Sequence, residues 1–360
     1  MQPNLYLGVM TGTSLDGIDI ALCRIDDTHI NLLAYDEYPY DVTLKQQIQL
    51  LLQHPHTTLK TVGRLDAAVG EMIGDALQRF MQEKNIDASH IVAAGVHGQT
   101  LWHTPQGAYP FSWQIGDANR IARQTGLRIV SDVRRADMAA GGQGAPLAPL
   151  LHRFIFKDMK KPIGVLNLGG IANLTILEEN DVTGFDTGPA NTLIDAWIAR
   201  HKHLPYDKNG DWARGGNVHQ TLLQAMLSDA YFSQKPPKST GRERFNLAWV
   251  QKHLADIGDI APQDVQRTLT ELTARSIADA AASYDPHRLI VCGGGAHNAF
   301  LLERIRKLTG ITVEVSPFAD AMEAMLMAYL AFLRICRIPA LTPHITGASE
   351  PAVLGALYEP

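Results

Sequence analysis

Apolar positions fall into short blocks that stop at glycine and into longer stretches with a helical repeat. Residues 5–10 are one such block and predict a buried strand ending at Thr11-Gly12-Thr13-Ser14. Past Asp16-Gly17, the segment Ile18-Asp19-Ile20-Ala21-Leu22-Cys23 alternates as a strand does, so this first glycine turn joins strand to strand. The second half opens the same way, with a strand at Ile163–Leu168, a tight turn at Gly169-Gly170 and a return strand at Ile171–Leu177. Two such units, each heading one half of the chain, point to an internal duplication.

Between them, Leu65, Val69, Met72, Ile73, Ala76, Leu77 and Phe80 lie at helical spacing and predict a long amphipathic helix. A strand over Ile91–Val96 ends at His97-Gly98-Gln99-Thr100, a helix starts near Asn119 after Asp117, and residues 127–130 form another strand. The most glycine-dense loop, Gly141-Gly142-Gln143-Gly144-Ala145-Pro146, reads as a hinge, an active-site loop, or both. Further helices are predicted around 192–201, 218–229, 265–284 and 322–333, and another carries Leu301, Leu302, Ile305 and Leu308 on one face. Strands at 289–292 and 311–315 complete an α/β chain, whose sheets must be mixed because of the hairpins.

Composition narrows the class. Apolar residues make up 46% of the 360 and charged residues 19%, which indicates much buried surface. A net charge of −5 lacks the basic excess of a nucleic-acid-binding surface. The three cysteines are far apart, with no CxxC spacing, so neither a disulfide framework nor a zinc site is indicated. No apolar run is long enough to span a bilayer, and Met1 leads into the first strand without a basic, apolar leader. A cytoplasmic protein acting on small molecules, with no nucleic-acid or membrane partner, is expected; a homodimer is left open.

The candidate chemistry centres on Gly184-Phe185-Asp186-Thr187-Gly188-Pro189-Ala190-Asn191, read as a short glycine-flanked turn before a helix. Asp186 there is either a helix cap or a carboxylate presented to a ligand. Gly12 to Gly17 has the spacing of a phosphate loop, but Ile18-Asp19 stands where Lys-Ser/Thr belongs and a strand follows, which excludes a Walker loop. Two glycine hairpins can instead offer backbone N–H groups to a polyphosphate without lysine. A third loop, Gly293-Gly294-Gly295, opens a helix and suits a base or phosphate lying on bare backbone.

This arrangement resembles the actin, sugar kinase and Hsp70 superfamily. Within it, the stretches Gly8 to Asp19, His97-Gly98-Gln99-Thr100, Gly141 to Pro146, Gly184 to Asn191, Lys238-Ser239-Thr240-Gly241-Arg242-Glu243 and Val353-Leu354-Gly355-Ala356 together resemble the anhydro-N-acetylmuramic acid kinase family over essentially the whole chain. The resemblance implies a two-lobed actin-like ATPase (ribonuclease H-like) fold with duplicated mixed sheets around a central cleft. The first lobe would span 1–140 with the tail 341–360, the second 141–340. It also implies ATP and Mg²⁺ as cofactors and an amino-sugar substrate of peptidoglycan turnover. A conventional sugar kinase and an ATP-driven switch of the Hsp70 or actin type are the rivals.

Residue by residue, the resemblance makes Asp186 the general base. Glu323 is a second carboxylate on the water or a first-turn residue stabilising its helix dipole. Arg134 contacts substrate or pairs with Asp132 or Asp137, His97 binds the sugar or is structural, and Gln143 and Asp186 bind the substrate. ATP would meet Gly12, Thr13, Ser14, Asp16, Gly17, Asp19, Asn167, Gly169, Gly170, Gly293, Gly294, Gly295 and Asn298. Asp16 or Asp186 would touch the metal. The basic connector 235–244 either closes over ATP or simply links helices.

Overall fold

The computed structural model describes residues 4–12, 15, 17–54, 56–236 and 238–360. Thirteen strands occur among them: β1 Leu5–Thr11, β2 Gly17–Ile25, β3 Ile30–Pro39, β4 Ile91–Val96, β5 Gln99–Thr104, β6 Phe111–Ile115, β7 Ile129–Ser131, β8 Ile163–Leu168, β9 Ile171–Leu177, β10 Val182–Pro189, β11 Arg288–Cys292, β12 Thr312–Val315 and β13 Ala356–Tyr358. The chain forms two compact units, one of residues 1–157 with 321–360 and the other of residues 158–320.

In the first unit the sheet order is β13-β7-β4-β1-β2-β3. The pairs β1–β2 and β2–β3 are antiparallel, and β1–β4 and β4–β7 are parallel. The second unit repeats the pattern as β10-β9-β8-β11-β12, again with two antiparallel pairs followed by two parallel ones. The same five-strand order in both halves is the duplication that the paired glycine hairpins predicted.

Hydrophobic burial follows the sequence pattern closely. The predicted amphipathic helix is Leu59–Glu83, and its Val62, Leu65, Val69, Ile73, Ala76, Leu77 and Phe80 are buried in the core of the first unit. In the second unit the helices Asn191–Lys202, Gln220–Leu227 and Pro262–Ala282 enclose Leu193, Trp197, Leu222, Met226, Phe245 and Leu269.

The helix Met322–Ile335, late in the chain, returns to the first sheet. It lies so close that a β-carbon on Gly8 would stand 2.5 Å from the Ala328 nitrogen, and one on Gly95 2.6 Å from the Met327 carbonyl carbon. Only glycine on β1 and β4 admits a helix at that distance. Tyr329 of the same helix stacks on Phe154 of the helix Ala148–Ile155, with ring centroids 4.7 Å apart. These contacts hold residues 141–157 and 321–340 in the first unit, so the expected boundaries at 140 and 340 move to 157 and 320.

Two further expectations change. Residues 184–189 are not a turn but most of β10, paired with β9 and bulged between Asp186 and Gly188. The glycine loop at 293–295 leads into a 3-10 turn, Gly294–His297, and the α-helix begins only at Ala299. Among the described residues no helix is long and apolar enough to cross a membrane.

Candidate active site

Asp186 sits on β10 where the bulge re-aims the strand, a common device for presenting a side chain. One carboxylate oxygen, Oδ1, accepts from Asn173 Nδ2 at 3.0 Å; the other, Oδ2, accepts from the Thr240 backbone N–H at 2.9 Å. Its backbone is held as well, with the N–H donating to the Lys238 carbonyl at 3.1 Å and the carbonyl accepting from the Tyr231 hydroxyl at 2.8 Å. The side chain is therefore fixed in position and angle. The helix that follows starts at Asn191 with no side-chain cap from Asp186, so the capping alternative does not apply. Burial pushes the Asp186 carboxyl above its ordinary value, against the two donors, which favour the charged form. A raised carboxyl is a better proton acceptor than an exposed one.

The connector after residue 234 reaches this site through specific contacts. Lys238 and Thr240 clasp Asp186, and the Lys238 ammonium lies 4.7 Å from the Tyr231 ring centroid. Arg244 pairs with Asp229 at 2.5 Å, and Phe245 is fully buried against Tyr231. Arg242 points to the β8–β9 turn, with Nε and Nη2 each 3.3 Å from where a β-carbon on Gly170 would be.

That turn and the glycine loop after β11 meet in the second unit. The carbonyls of Gly169 and Gly170 accept from Asn191, Ala190 and Thr192 N–H groups at 2.9–3.1 Å, which seats the turn on the start of the helix Asn191–Lys202. Gly293 has φ +78°, and a β-carbon there would lie 3.1 Å from the Leu168 carbonyl carbon and closer still to Asn167 Oδ1. Asn167, Gly169, Gly170, Gly293 and Gly295 are thus gathered at the carboxyl ends of β8 and β11, with Gly294 between the last two. Asn298 is engaged differently: its Oδ1 accepts from the Leu301 N–H at 3.0 Å and caps the helix Ala299–Thr309.

In the first unit, His97 follows β4 and is buried. Its Nδ1 lies 2.7 Å from the Gly98 carbonyl, and its Nε2 accepts from Arg134 Nε at 2.9 Å. Those partners require the neutral tautomer with hydrogen on Nδ1. Burial and the adjacent guanidinium hold His97 down to about 3. Arg134 Nη1 donates to the Gly144 carbonyl at 3.0 Å. The surface ion pair considered for Arg134 is made instead by its neighbour, Arg135 to Asp132 at 2.5 Å. Asp137 is buried and accepts from the Gly144 N–H and the Thr346 hydroxyl, fixing the glycine loop. Gln143 stands on that loop with its N–H on the Thr346 carbonyl. Glu323 is exposed in the first turn of Met322–Ile335; burial lowers the Arg134 guanidinium, and the charges of Glu323 and Asp137 oppose that shift.

Of the first-hairpin candidates, Gly12 and Gly17 flank the β1–β2 turn, while Thr13, Ser14 and Asp16 lie outside the described residues. Asp19 is on β2, where its Oδ1 accepts from the Tyr35 hydroxyl at 2.6 Å on the neighbouring strand. Sequence reasoning missed Asn173, Tyr231 and Arg242. Arg242 lies within a motif already singled out, but no local pattern ties Asn173 or Tyr231 to Asp186. No group of three or more His, Cys, Asp or Glu side chains suited to a metal occurs among the described residues.

Two units with the strand order third-second-first-fourth-fifth, each headed by a glycine hairpin, define a duplicated ribonuclease H-like α/β fold. The anhydro-N-acetylmuramic acid kinase family model matches residues 4–360. A relative from Sulfurovum sp. (strain NBC37-1), named anhydro-N-acetylmuramic acid kinase, is 48% identical over 360 residues, covering 99% of this chain and all of the relative. Among solved structures, the activator of the 2-hydroxyisocaproyl-CoA dehydratase from Clostridium difficile aligns with TM-score 0.46 and 11% identity over 92% of this chain and 96% of its own. A ROK family glucokinase from Streptomyces griseus aligns with TM-score 0.42 and 16% identity, over 91% and 98%. The chain belongs to the anhydro-N-acetylmuramic acid kinase family.

Proposed function

We propose that this kinase uses ATP and water to open the 1,6-anhydro ring of anhydro-N-acetylmuramic acid, giving N-acetylmuramic acid 6-phosphate and ADP. The observation that carries the reading is the Asp186 carboxylate, held on both oxygens and raised above its ordinary value. In this reaction Asp186 takes a proton from water as the water oxygen bonds to C1. The C1–O6 bond breaks, and O6 takes the γ-phosphoryl group as the bond to the ADP oxygen breaks. One proton is left over and passes from Asp186 to solvent. A positioned base contributes roughly 10²–10⁴-fold to such a step.

The remaining residues bind and orient. Arg134 commits two of its five N–H groups to His97 and Gly144, leaving donors for the sugar's oxygens or carboxylate. His97, held neutral, sets the guanidinium angle rather than adding charge. Glu323 either orients the water or, from the first turn of Met322–Ile335, stabilises its helix dipole. Backbone N–H groups of the glycine hairpins receive the phosphates of ATP, and the Gly293–Gly295 loop takes the adenosine side.

Magnesium is expected with ATP, bound chiefly by phosphates and water. The donor chemistry fits: each Asp186 oxygen accepts one hydrogen bond and keeps further lone-pair capacity for a hard cation, while Asp16 is outside the described residues. The ion would supply neutralisation of phosphate charge.

Mass spectrometry of the product tests the reading. Ring opening yields a phosphosugar heavier than sugar plus phosphoryl group by one water, with ¹⁸O from labelled water at C1 in samples quenched early. A conventional kinase would phosphorylate a free hydroxyl and leave the anhydro ring intact. ADP release that does not depend on the sugar would point to the ATPase switch.

A further inference from the structure

The glycine hairpins explain how phosphates can be bound without a lysine, but backbone N–H groups alone offer little full positive charge to a phosphoryl group in transit. Of the basic side chains of the connector, Lys238 and Arg244 are already engaged. Lys238 Nζ sits over the Tyr231 ring, and Arg244 pairs with Asp229 and lies against the same ring. Arg242 is the exception. Among the described residues no carboxylate lies within ion-pair distance of its guanidinium, which is exposed and rests at the Gly169-Gly170 turn, 3.3 Å from where a Gly170 side chain would begin.

Its backbone, by contrast, is anchored. The Arg242 carbonyl accepts from Asn246 Nδ2 at 3.2 Å, the Gly241 carbonyl accepts from the Arg244 and Phe245 N–H groups, and Phe245 is fully buried. Two residues earlier, the Thr240 N–H holds Asp186 Oδ2. One short segment therefore grips the carboxylate with a peptide N–H and places a guanidinium on the phosphate turn.

A second observation marks the same turn. Thr192 Oγ1 lies 2.9 Å from the point where the Gly170 β-carbon would be, is out of solvent, and has no hydrogen-bond partner among the described residues. Buried hydroxyls are normally satisfied, so an orphan beside an unpaired guanidinium is a donor in want of an acceptor. A phosphoryl oxygen meets both needs, and a planar guanidinium matches it with two parallel N–H groups.

We propose that Arg242 is a catalytic residue that binds the γ-phosphoryl group as it leaves ADP for O6. The assignment rests on the kinase reading above. No bond to the arginine forms or breaks; it stabilises the charge spread over the phosphoryl oxygens.

The test compares the parent enzyme with Arg242→Ala, measuring ADP release dependent on the anhydro-sugar. If the parent releases none, the kinase reading itself falls. With an active parent, Arg242→Ala should lose about 10³-fold in kcat, the lower end of what transition-state arginines supply. Its melting temperature should match the parent's, because an exposed guanidinium leaves no cavity. Millimolar guanidinium chloride should restore part of the lost turnover, and should restore none in Asp186→Asn. Parent-like turnover in Arg242→Ala, or a loss that added guanidinium leaves untouched, overturns the assignment.

Discussion

Replacing Asp186 by asparagine separates its chemical role from its structural one. The asparagine carbonyl oxygen can keep the Thr240 N–H, and its new NH₂ group faces Asn173, whose own amide can turn to present oxygen. Both hydrogen bonds then survive as neutral ones. What is lost is their charge assistance; what is gained is release from holding a charge where burial disfavours it. The two oppose each other, so stability should change by no more than about 1 kcal/mol, roughly 2 °C in melting temperature.

The pH dependence has a definite sign. Because the folded carboxyl is raised, the folded parent binds that proton more tightly than the unfolded chain. Its contribution to stability is full below the unfolded value and lost as pH rises through the folded one, a loss the Asn variant should not show. Turnover runs the other way: kcat/KM of the parent should fall as pH drops through the raised Asp186 value. Loss of the base should cost Asp186→Asn about 10²–10⁴ in kcat with ATP affinity retained. Sugar-dependent ADP release followed across pH, with calorimetric melting, reads all of these. Parent-like turnover would remove Asp186 from the chemistry; a collapse in melting temperature would make its role structural.

Three further outcomes follow from the geometry. Arg134→Lys loses the fork shared between His97 and Gly144 and should drop kcat/KM for the sugar about 10–100-fold, the value of one charged hydrogen bond, with KM for ATP unchanged in steady-state kinetics. Asn298→Ala removes a helix cap and should cost about 1 kcal/mol in denaturant unfolding; a tenfold rise in KM for ATP would support its expected place at the nucleotide. Gly8→Ala drives a methyl into the backbone of Met322–Ile335 and should cost at least about 1–3 kcal/mol, and an unshifted unfolding midpoint would contradict the close approach.

Much of the scaffold could be read from local pattern. The two hairpins, the amphipathic helix Leu59–Glu83 and the strand ending at His97 all appear where apolar periodicity and glycine placed them. The motif set also carried the family. Residues 184–189 misled because glycine usually marks a turn, whereas in β10 it serves packing: a β-carbon on Gly188 would meet the Phe232 ring at 2.8 Å.

Periodicity reports which face of a segment is buried, but not which distant segment covers it. Tertiary structure alone decided that a helix beginning at residue 322 crosses β1 and β4, and so which lobe Glu323 belongs to. It alone brought Thr240 to Asp186 across 54 positions and laid Arg242 on the Gly170 turn. The composition of a glycine turn says that something may approach closely; only the folded chain supplies the side chain that does.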